Sequence, residues 1–240
     1  MNISKSFDDK FIHKLSIDNN KKNMDLIKNT SLNKDNITFT YPPYLTLTDT
    51  VRPNLILDLN GILIYSSHLI DNKDIQKYTG LKNFLLIYKD FDMNMFIIYY
   101  RNYIKEFLLE LNNYYDIYIY SSLNRTQTDI FISTINHLIG TNVFKGIYLK
   151  INNVSKKNLN DINQDKKHSV IIDLHANNWD DSDTNIILIQ SFRGPHDNNY
   201  DKNNDLLIMK KCLIRIHKLF IDNLYDDIRN YIHDCVLSIP

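Results

Sequence analysis

Cysteine is nearly absent: Cys212 and Cys235 are the only two, both inside one late helical pattern. They offer neither a disulfide framework nor metal-ligand spacing, and a reducing compartment is the default expectation. Net charge is absent as well, with 28 basic against 28 acidic side chains. No global field draws such a chain onto nucleic acid or anionic lipid, so neither partner is expected and a charged ligand must be met locally. Long apolar runs are missing. Stretches such as Phe96-Ile97-Ile98-Tyr99-Tyr100 fall far short of the ~20 residues that span a bilayer. The first arginine is Arg52 and acidic residues begin at Asp8, which suits neither a secretory signal nor an arginine-rich transit peptide. A soluble intracellular protein is expected, neither secreted nor imported into mitochondria, with nucleus and cytoplasm both open. Alanine occurs once, at Ala176, amid many Asn, Ile, Lys and Tyr residues, as in a chain from an AT-rich genome. Runs such as Asn198-Asn199 and Asn203-Asn204 are accordingly read as exposed loop.

What is present organises the chain into an extension and one domain. Residues 1–50 are polar and weakly periodic, with apolar patches only at Phe11-Ile12 and Leu26-Ile27, so a partly disordered N-terminal extension is expected. Tyr41-Pro42-Pro43-Tyr44 reads as a rigid entry linker, with a proline-motif ligand as the alternative. Residues 51–240 are expected to form the domain. After Pro53 short apolar runs alternate with helix-period segments, the signature of a mainly parallel α/β sheet with crossover helices. Leu55–Leu59, Ile117–Tyr120, Gly146–Leu149, Val170–Leu174 and Ile186–Ile189 are the five expected core strands. Ile104, Phe107, Leu108 and Leu111 mark a helix over Tyr103–Asn113. Phe131, Ile135 and Leu138 mark a second, with Asn124 as its N-cap. Two closing helices follow, one striped by Met209, Leu213, Ile216 and Phe220, the other by Leu224, Ile228 and Ile232.

One stretch interrupts this alternation. Phe84–Tyr88 and Met95–Tyr100, separated by Lys89-Asp90-Phe91-Asp92, read as a β-hairpin inside an insertion over residues 64–100, between the first strand and the first helix. Its aromatics either pack on one another or wall a site that receives a peptide.

Leu55-Ile56-Leu57-Asp58-Leu59-Asn60-Gly61-Ile62-Leu63 is the most informative segment: an apolar strand ending in Asp58. Such an aspartate can attack phosphorus, provided a second carboxylate two residues on transfers the proton, a hydroxyl and a lysine hold the phosphoryl oxygens, and Mg²⁺ offsets charge repulsion. Asn60 occupies the position of that second carboxylate. Further along come Tyr99-Tyr100-Arg101-Asn102-Tyr103, Ile117-Tyr118-Ile119-Tyr120-Ser121-Ser122, Val154-Ser155-Lys156-Lys157-Asn158-Leu159 and Val170-Ile171-Ile172-Asp173-Leu174.

In order and spacing these blocks resemble the haloacid-dehalogenase-superfamily phosphatases of the RNA polymerase II C-terminal domain and their small, NLI-interacting-factor-like relatives. The likeness runs from about Arg52 to the C-terminus. It implies a Rossmann-like fold with a five-stranded, mainly parallel sheet, helices on both faces, and a β-hairpin insertion after the first strand. It also implies a phosphorylated Ser/Thr protein segment as partner, such as a polymerase tail, and Mg²⁺ as cofactor if the protein is active. By the same resemblance Asp58 takes the nucleophile position and Asn60 the degenerate acid/base position. Ser121 and Lys157, or less favourably Lys156, would contact phosphate, while Arg101 and Ser122 would contact substrate. Asp58, Asn60 and Asp173 would form a weak or absent metal site.

The departures bear on activity. Asn60 cannot exchange a proton near neutral pH, a form of help worth ~10²–10⁴ in rate. Ile62 replaces a small residue of the motif, and Asn102 replaces a proline. Leu174 puts hydrocarbon where the family has an oxygen ligand, unless Asn177 or Asp180 serves in its place. The expected protein is thus a phosphatase-family binding or regulatory module of weak or lost activity. The rival is an active Mg²⁺-dependent serine/threonine phosphatase working through an aspartyl-phosphate. An import-translocase receptor subunit of the same fold and a scaffold without phosphate affinity are further alternatives. His68, His137, His168, His175, His196 and His217 show no ligand spacing, although His175 lies near Asp173.

Overall fold

The computed structural model describes residues 52–69, 84–89, 95–150, 156–162, 164–180, 183–197, 202–224 and 226–236. Expectations for residues 1–50, for the turn after Lys89 and for Asn198-Asn199 lie outside these residues. The chain divides into two units, Thr50–Leu86 with Phe96–Pro240, and Met1–Asp49 with Ile87–Met95. The described part of the latter is limited to the strand residues Ile87–Lys89 and Met95, and the site treated below lies wholly in the former.

In chain order the elements are β1 (Asn54–Leu57), β2 (Ile64–Leu69), β3 (Phe84–Lys89), β4 (Met95–Tyr100), α1 (Ile104–Leu111), β5 (Asp116–Ser121), α2 (Arg125–Ile139), β6 (Phe144–Leu149), β7 (Ser169–Asp173), β8 (Ile186–Leu188), α3 (Asp205–Asp222) and α4 (Arg229–Val236). Five strands form one sheet in the order β6-β5-β1-β7-β8, and every pairing is parallel. The central strands carry apolar residues without alternation because both faces are covered: Leu55, Ile56, Leu57, Val170, Ile171 and Ile172 are fully buried. All five expected core strands are present, in an α/β fold with a β-hairpin insertion after the first strand.

That insertion contains one strand more than the hairpin. β2, β4 and β3 form a second sheet in that order. β2 reads IYSSHL, and its central serines gave no apolar signal. Of the aromatics of β4, Tyr99 and Tyr100 are buried, and the Tyr100 hydroxyl donates to Thr134 O at 3.0 Å.

The helices follow their stripes. Asn124 caps α2 by accepting from Gln127 N–H at 2.9 Å, and Gly140 ends it in the left-handed region at φ 83°. α1 and α3 are joined by buried Lys210, which donates to Glu110 Oε2 at 2.6 Å and also to Glu106. The stripe expected of the last helix needs one correction. Leu224 is 86% exposed and sits at φ 56° in the connection, while Ile228 and Ile232 are buried. An i, i+4 spacing cannot show that the chain reverses hand between α3 and α4.

Candidate functional site

The strand order places a switch point between β1 and β7. The chain leaves β1 toward β5 and leaves β7 toward β8, and in open α/β sheets the crevice at the carboxyl ends of two such strands receives the ligand. Leu57 pairs with Ile172, so the next residues, Asp58 and Asp173, stand side by side at this opening. Alternation along each strand puts Asp58 on the face of Ile56, Tyr120 on that of Tyr118 and Asp173 on that of Ile171. Ile56, Tyr118, Tyr120 and Ile171 cluster there with Leu159, Ile162 and Trp179. The charged groups thus cap an aromatic core.

Lys157 enters this core from the side. Its backbone N–H donates to Asn178 O at 2.7 Å and its carbonyl accepts from Asp180 N–H at 2.8 Å, fixing the segment beside Trp179. The side chain is fully buried, with Nζ 3.0 Å from Asp173 Oδ2 and 3.3 Å from Asp58 Oδ1. The rings of Trp179 and Tyr120 lie 5.5 and 5.7 Å from the same nitrogen. Lys156, the alternative in the sequence, points outward and approaches exposed Asp180 at 3.8 Å.

Asp173 is saturated. Its Oδ1 accepts from Leu174 N–H at 2.7 Å, His175 N–H at 3.1 Å and Asn178 Nδ2 at 3.1 Å. Its Oδ2 accepts from Trp179 Nε1–H at 2.8 Å and from Lys157. These donors fill a group that has about four lone-pair positions. Burial alone would raise the Asp173 pKa, but Lys157, the indole and the His175 amide outweigh it and hold the carboxyl below the usual carboxylate range. Asp58 shows the opposite result. Burial pushes it up, Lys157 draws it back only in part, and the Asp173 charge adds to the rise.

Ser121 ends β5, the other neighbour of β1. Its buried hydroxyl accepts from Leu123 N–H at 3.1 Å and from the buried Thr128 hydroxyl at 3.3 Å. Ser122 is exposed on the following turn.

Arg101, expected to contact substrate, is enclosed by the domain and hydrogen-bonded within it. The side chain is 1% exposed. Nε donates to Asn203 Oδ1 at 3.2 Å, Nη1 to Gly61 O at 3.5 Å and Ile62 O at 3.3 Å, and Nη2 to Gln190 O at 2.9 Å and to Asp205. Each of the guanidinium's five N–H groups has an acceptor, and Phe192 lies below it at 5.7 Å. Burial lowers its pKa, with Asp205 opposing. Arg101 therefore ties the turn after β1 to the loop at Gln190 and to the start of α3. Asn203, read as plain loop, is one of its partners.

Asn60 lies in that turn. Gly61 follows at φ 79°, its N–H donating to Ile64 O at 2.6 Å and its carbonyl accepting from Phe192 N–H at 2.8 Å. A Cβ on Gly61 would stand 2.7 Å from Leu174 Cδ1 and 3.2 Å from Ser191 Oγ. Leu174 therefore packs against the turn that carries Asn60, so hydrocarbon lines this wall of the crevice.

A Mg²⁺ ion requires six oxygens in near-octahedral array. One feature favours a cation: the Asn60 carboxamide oxygen is buried without a hydrogen-bond partner among the described residues. The rest do not fit. Asp173 is saturated, one Asp58 oxygen already faces Lys157, and Leu174 supplies no donor. Of the substitutes, Asn177 is exposed and Asp180 pairs toward Lys156. Among the described residues no three His, Cys, Asp or Glu side chains group to hold a metal. His168 binds Asp165, His217 packs on Tyr114 and Tyr115, and His196 packs on Tyr65. His175 reaches the site through its backbone N–H, and its side chain is exposed.

Sequence reasoning missed Trp179, Tyr120, Asn178 and Thr128. The usable signal was Trp179, the sole tryptophan, six residues beyond Asp173.

Comparison with known proteins agrees with this fold. In solved structures the fold resembles Fcp1, described as an essential RNA polymerase II CTD phosphatase, with TM-score 0.61 and 14% identity over 76% of this chain and 70% of that one. It also resembles an arginine-to-alanine variant of the fission yeast RNA polymerase II CTD phosphatase Fcp1 bound to beryllium fluoride, with TM-score 0.59 and 16% identity over 79% and 70% of the two chains. No curated protein sequence matches. The family model of the NLI interacting factor-like phosphatases matches residues 53–229, a span that contains every group of the crevice, and the chain belongs to that family.

Proposed function

We propose that this protein is a C-terminal-domain-phosphatase-like module that binds a phosphorylated serine or threonine segment of a protein, such as a polymerase tail, and turns it over weakly or not at all. The observation that carries this reading is the Lys157 ammonium, buried at the carboxyl ends of β1 and β7 and held between Asp58 and Asp173. In this reading the ammonium that neighbours both carboxylates also donates to a phosphoryl oxygen. The Ser121 O–H supplies a second donor, preorganised by Leu123 and Thr128.

The catalytic half is weaker. Asp58 is placed to approach phosphorus, but Asn60 has no proton to give to a leaving oxygen and cannot accept one from water. The donors at the crevice suit Mg²⁺ poorly, and no step is assigned to it. The crevice can thus recognise a phosphoryl group without the means to complete hydrolysis.

The test uses the purified full chain with a phosphoserine peptide, with and without Mg²⁺. Binding that requires Lys157 and Ser121, with no turnover above background, is expected. Turnover abolished by Asp58→Asn would overturn the reading and establish an active phosphatase. Failure to bind phosphate or a phosphopeptide at millimolar concentration would favour a scaffold instead.

A further inference from the structure

Trp179 has two contacts that core packing alone does not require. Its Nε1–H donates to Asp173 Oδ2 at 2.8 Å, and its ring lies 5.5 Å from Lys157 Nζ. Tyr120 meets it edge to face, with ring centroids 5.4 Å apart at 85°, and forms the other wall around the ammonium. The backbone reinforces this arrangement, since Lys157 pairs with Trp179 in a parallel bridge and exchanges hydrogen bonds with Asn178 and Asp180. Trp179 is 4% exposed. A buried indole needs an acceptor for its N–H, and here that acceptor is the carboxylate that pins the lysine.

We propose that Trp179 is a positioning residue of the phosphate crevice: its N–H orients Asp173 while its ring confines the Lys157 ammonium, fixing where that ammonium stands. Lys is a flexible point charge with three rotatable donors. Two aromatic walls and a fixed carboxylate remove that freedom before the ligand arrives, so less ordering is left for binding to supply. Phenylalanine would keep a smaller ring beside Lys157, and it would leave Oδ2 of Asp173 with one donor fewer. The proposal rests on the phosphate-binding reading above.

Two variants of the full chain test it. Trp179→Phe removes the N–H and keeps an aromatic ring; 3-benzothienylalanine incorporated at position 179 keeps the bicyclic shape and also lacks the N–H. The second decides the matter should the first not fold. One readout needs no ligand: exchange of the Lys157 ammonium protons with water, followed by nitrogen-15 NMR. The other is the affinity for inorganic phosphate. Faster ammonium exchange and an affinity loss of about tenfold are expected, as for losing one hydrogen bond to a charged group. Unchanged ammonium exchange in a folded variant would overturn the proposal whatever the phosphate result. Natural protein that binds no phosphate would sink the functional reading, while the exchange measurement still decided the role of Trp179.

Discussion

The Lys157 ammonium stands 3.0 Å from Oδ2 of Asp173, and neither side chain reaches solvent. The pair arises because a segment after β6 lies beside the segment after β7, which makes it a product of topology. Breaking a buried ion pair by removing one partner costs ~3–5 kcal/mol, since the other charge is left uncompensated. Asp173→Asn and Lys157→Met should each destabilise the fold by about that much in chemical denaturation at neutral pH. The double variant should recover part of the loss, and strictly additive losses would contradict the pairing.

Asp58 should behave in the opposite sense. Its folded pKa lies above the ordinary 3.8, so the native state binds its proton more tightly than the unfolded chain does. Stability then falls as pH rises from 3.8 through the folded value. Asp173, held below 3.8, contributes stability that is present above that pH and is lost as pH falls through its depressed value. Asp58→Asn should therefore raise the Tm at pH 7, with the gain vanishing in acid. A lower Tm at pH 7 would contradict this sign.

Gly61→Ala meets two separate obstacles. The left-handed backbone at φ 79° costs an ordinary residue about 1–2 kcal/mol, and the new Cβ collides with Leu174 Cδ1 at 2.7 Å. Thermal denaturation of a double-mutant cycle with Leu174→Ala should show favourable coupling, because shortening Leu174 relieves the collision but not the backbone strain.

Arg101→Lys replaces five fixed donors by three, leaving buried carbonyls at the turn after β1 and at Gln190 unmatched. A loss of ~2–4 kcal/mol is expected. The folded fraction should still bind inorganic phosphate, in contrast to Lys157→Met. Equal losses of phosphate affinity in the two variants would return Arg101 to the ligand.

Asn60→Asp with Leu174→Asn restores a proton-exchanging carboxylate and an oxygen donor. Turnover of p-nitrophenyl phosphate should rise by ~10²–10⁴ and be lost on chelation. Phosphate binding by the natural chain should be insensitive to Mg²⁺ and to EDTA. A natural chain whose binding collapses on chelation would contradict the donor accounting at Leu174 and Asp173.

Much of the architecture was legible because its signals are local. β1, β5 and β7 declare themselves as unbroken apolar runs, and α2 carries its N-cap, Asn124. Leu224 was misplaced because helical spacing continues across a reversal of backbone hand. β2 was missed because Ser66 and Ser67 carry no apolar alternation, although the strand is held in a sheet.

At the crevice the division is sharper. The order of residue types along the chain established Asp58 at a strand end, Asn60 where a carboxylate would stand, Leu174 after Asp173, and the family to which these belong. Which lysine turns inward was decided by the bridge between Lys157 and Trp179. That Arg101 serves the scaffold follows from acceptors about 40 to 104 residues away, and that Asp173 is saturated follows from Trp179 and Lys157 meeting at one oxygen. Periodicities of 2 and 3.6 residues act within one element and can be read from the chain. The partners of a buried charge come from separate elements, and only the sheet order brings them within hydrogen-bond reach.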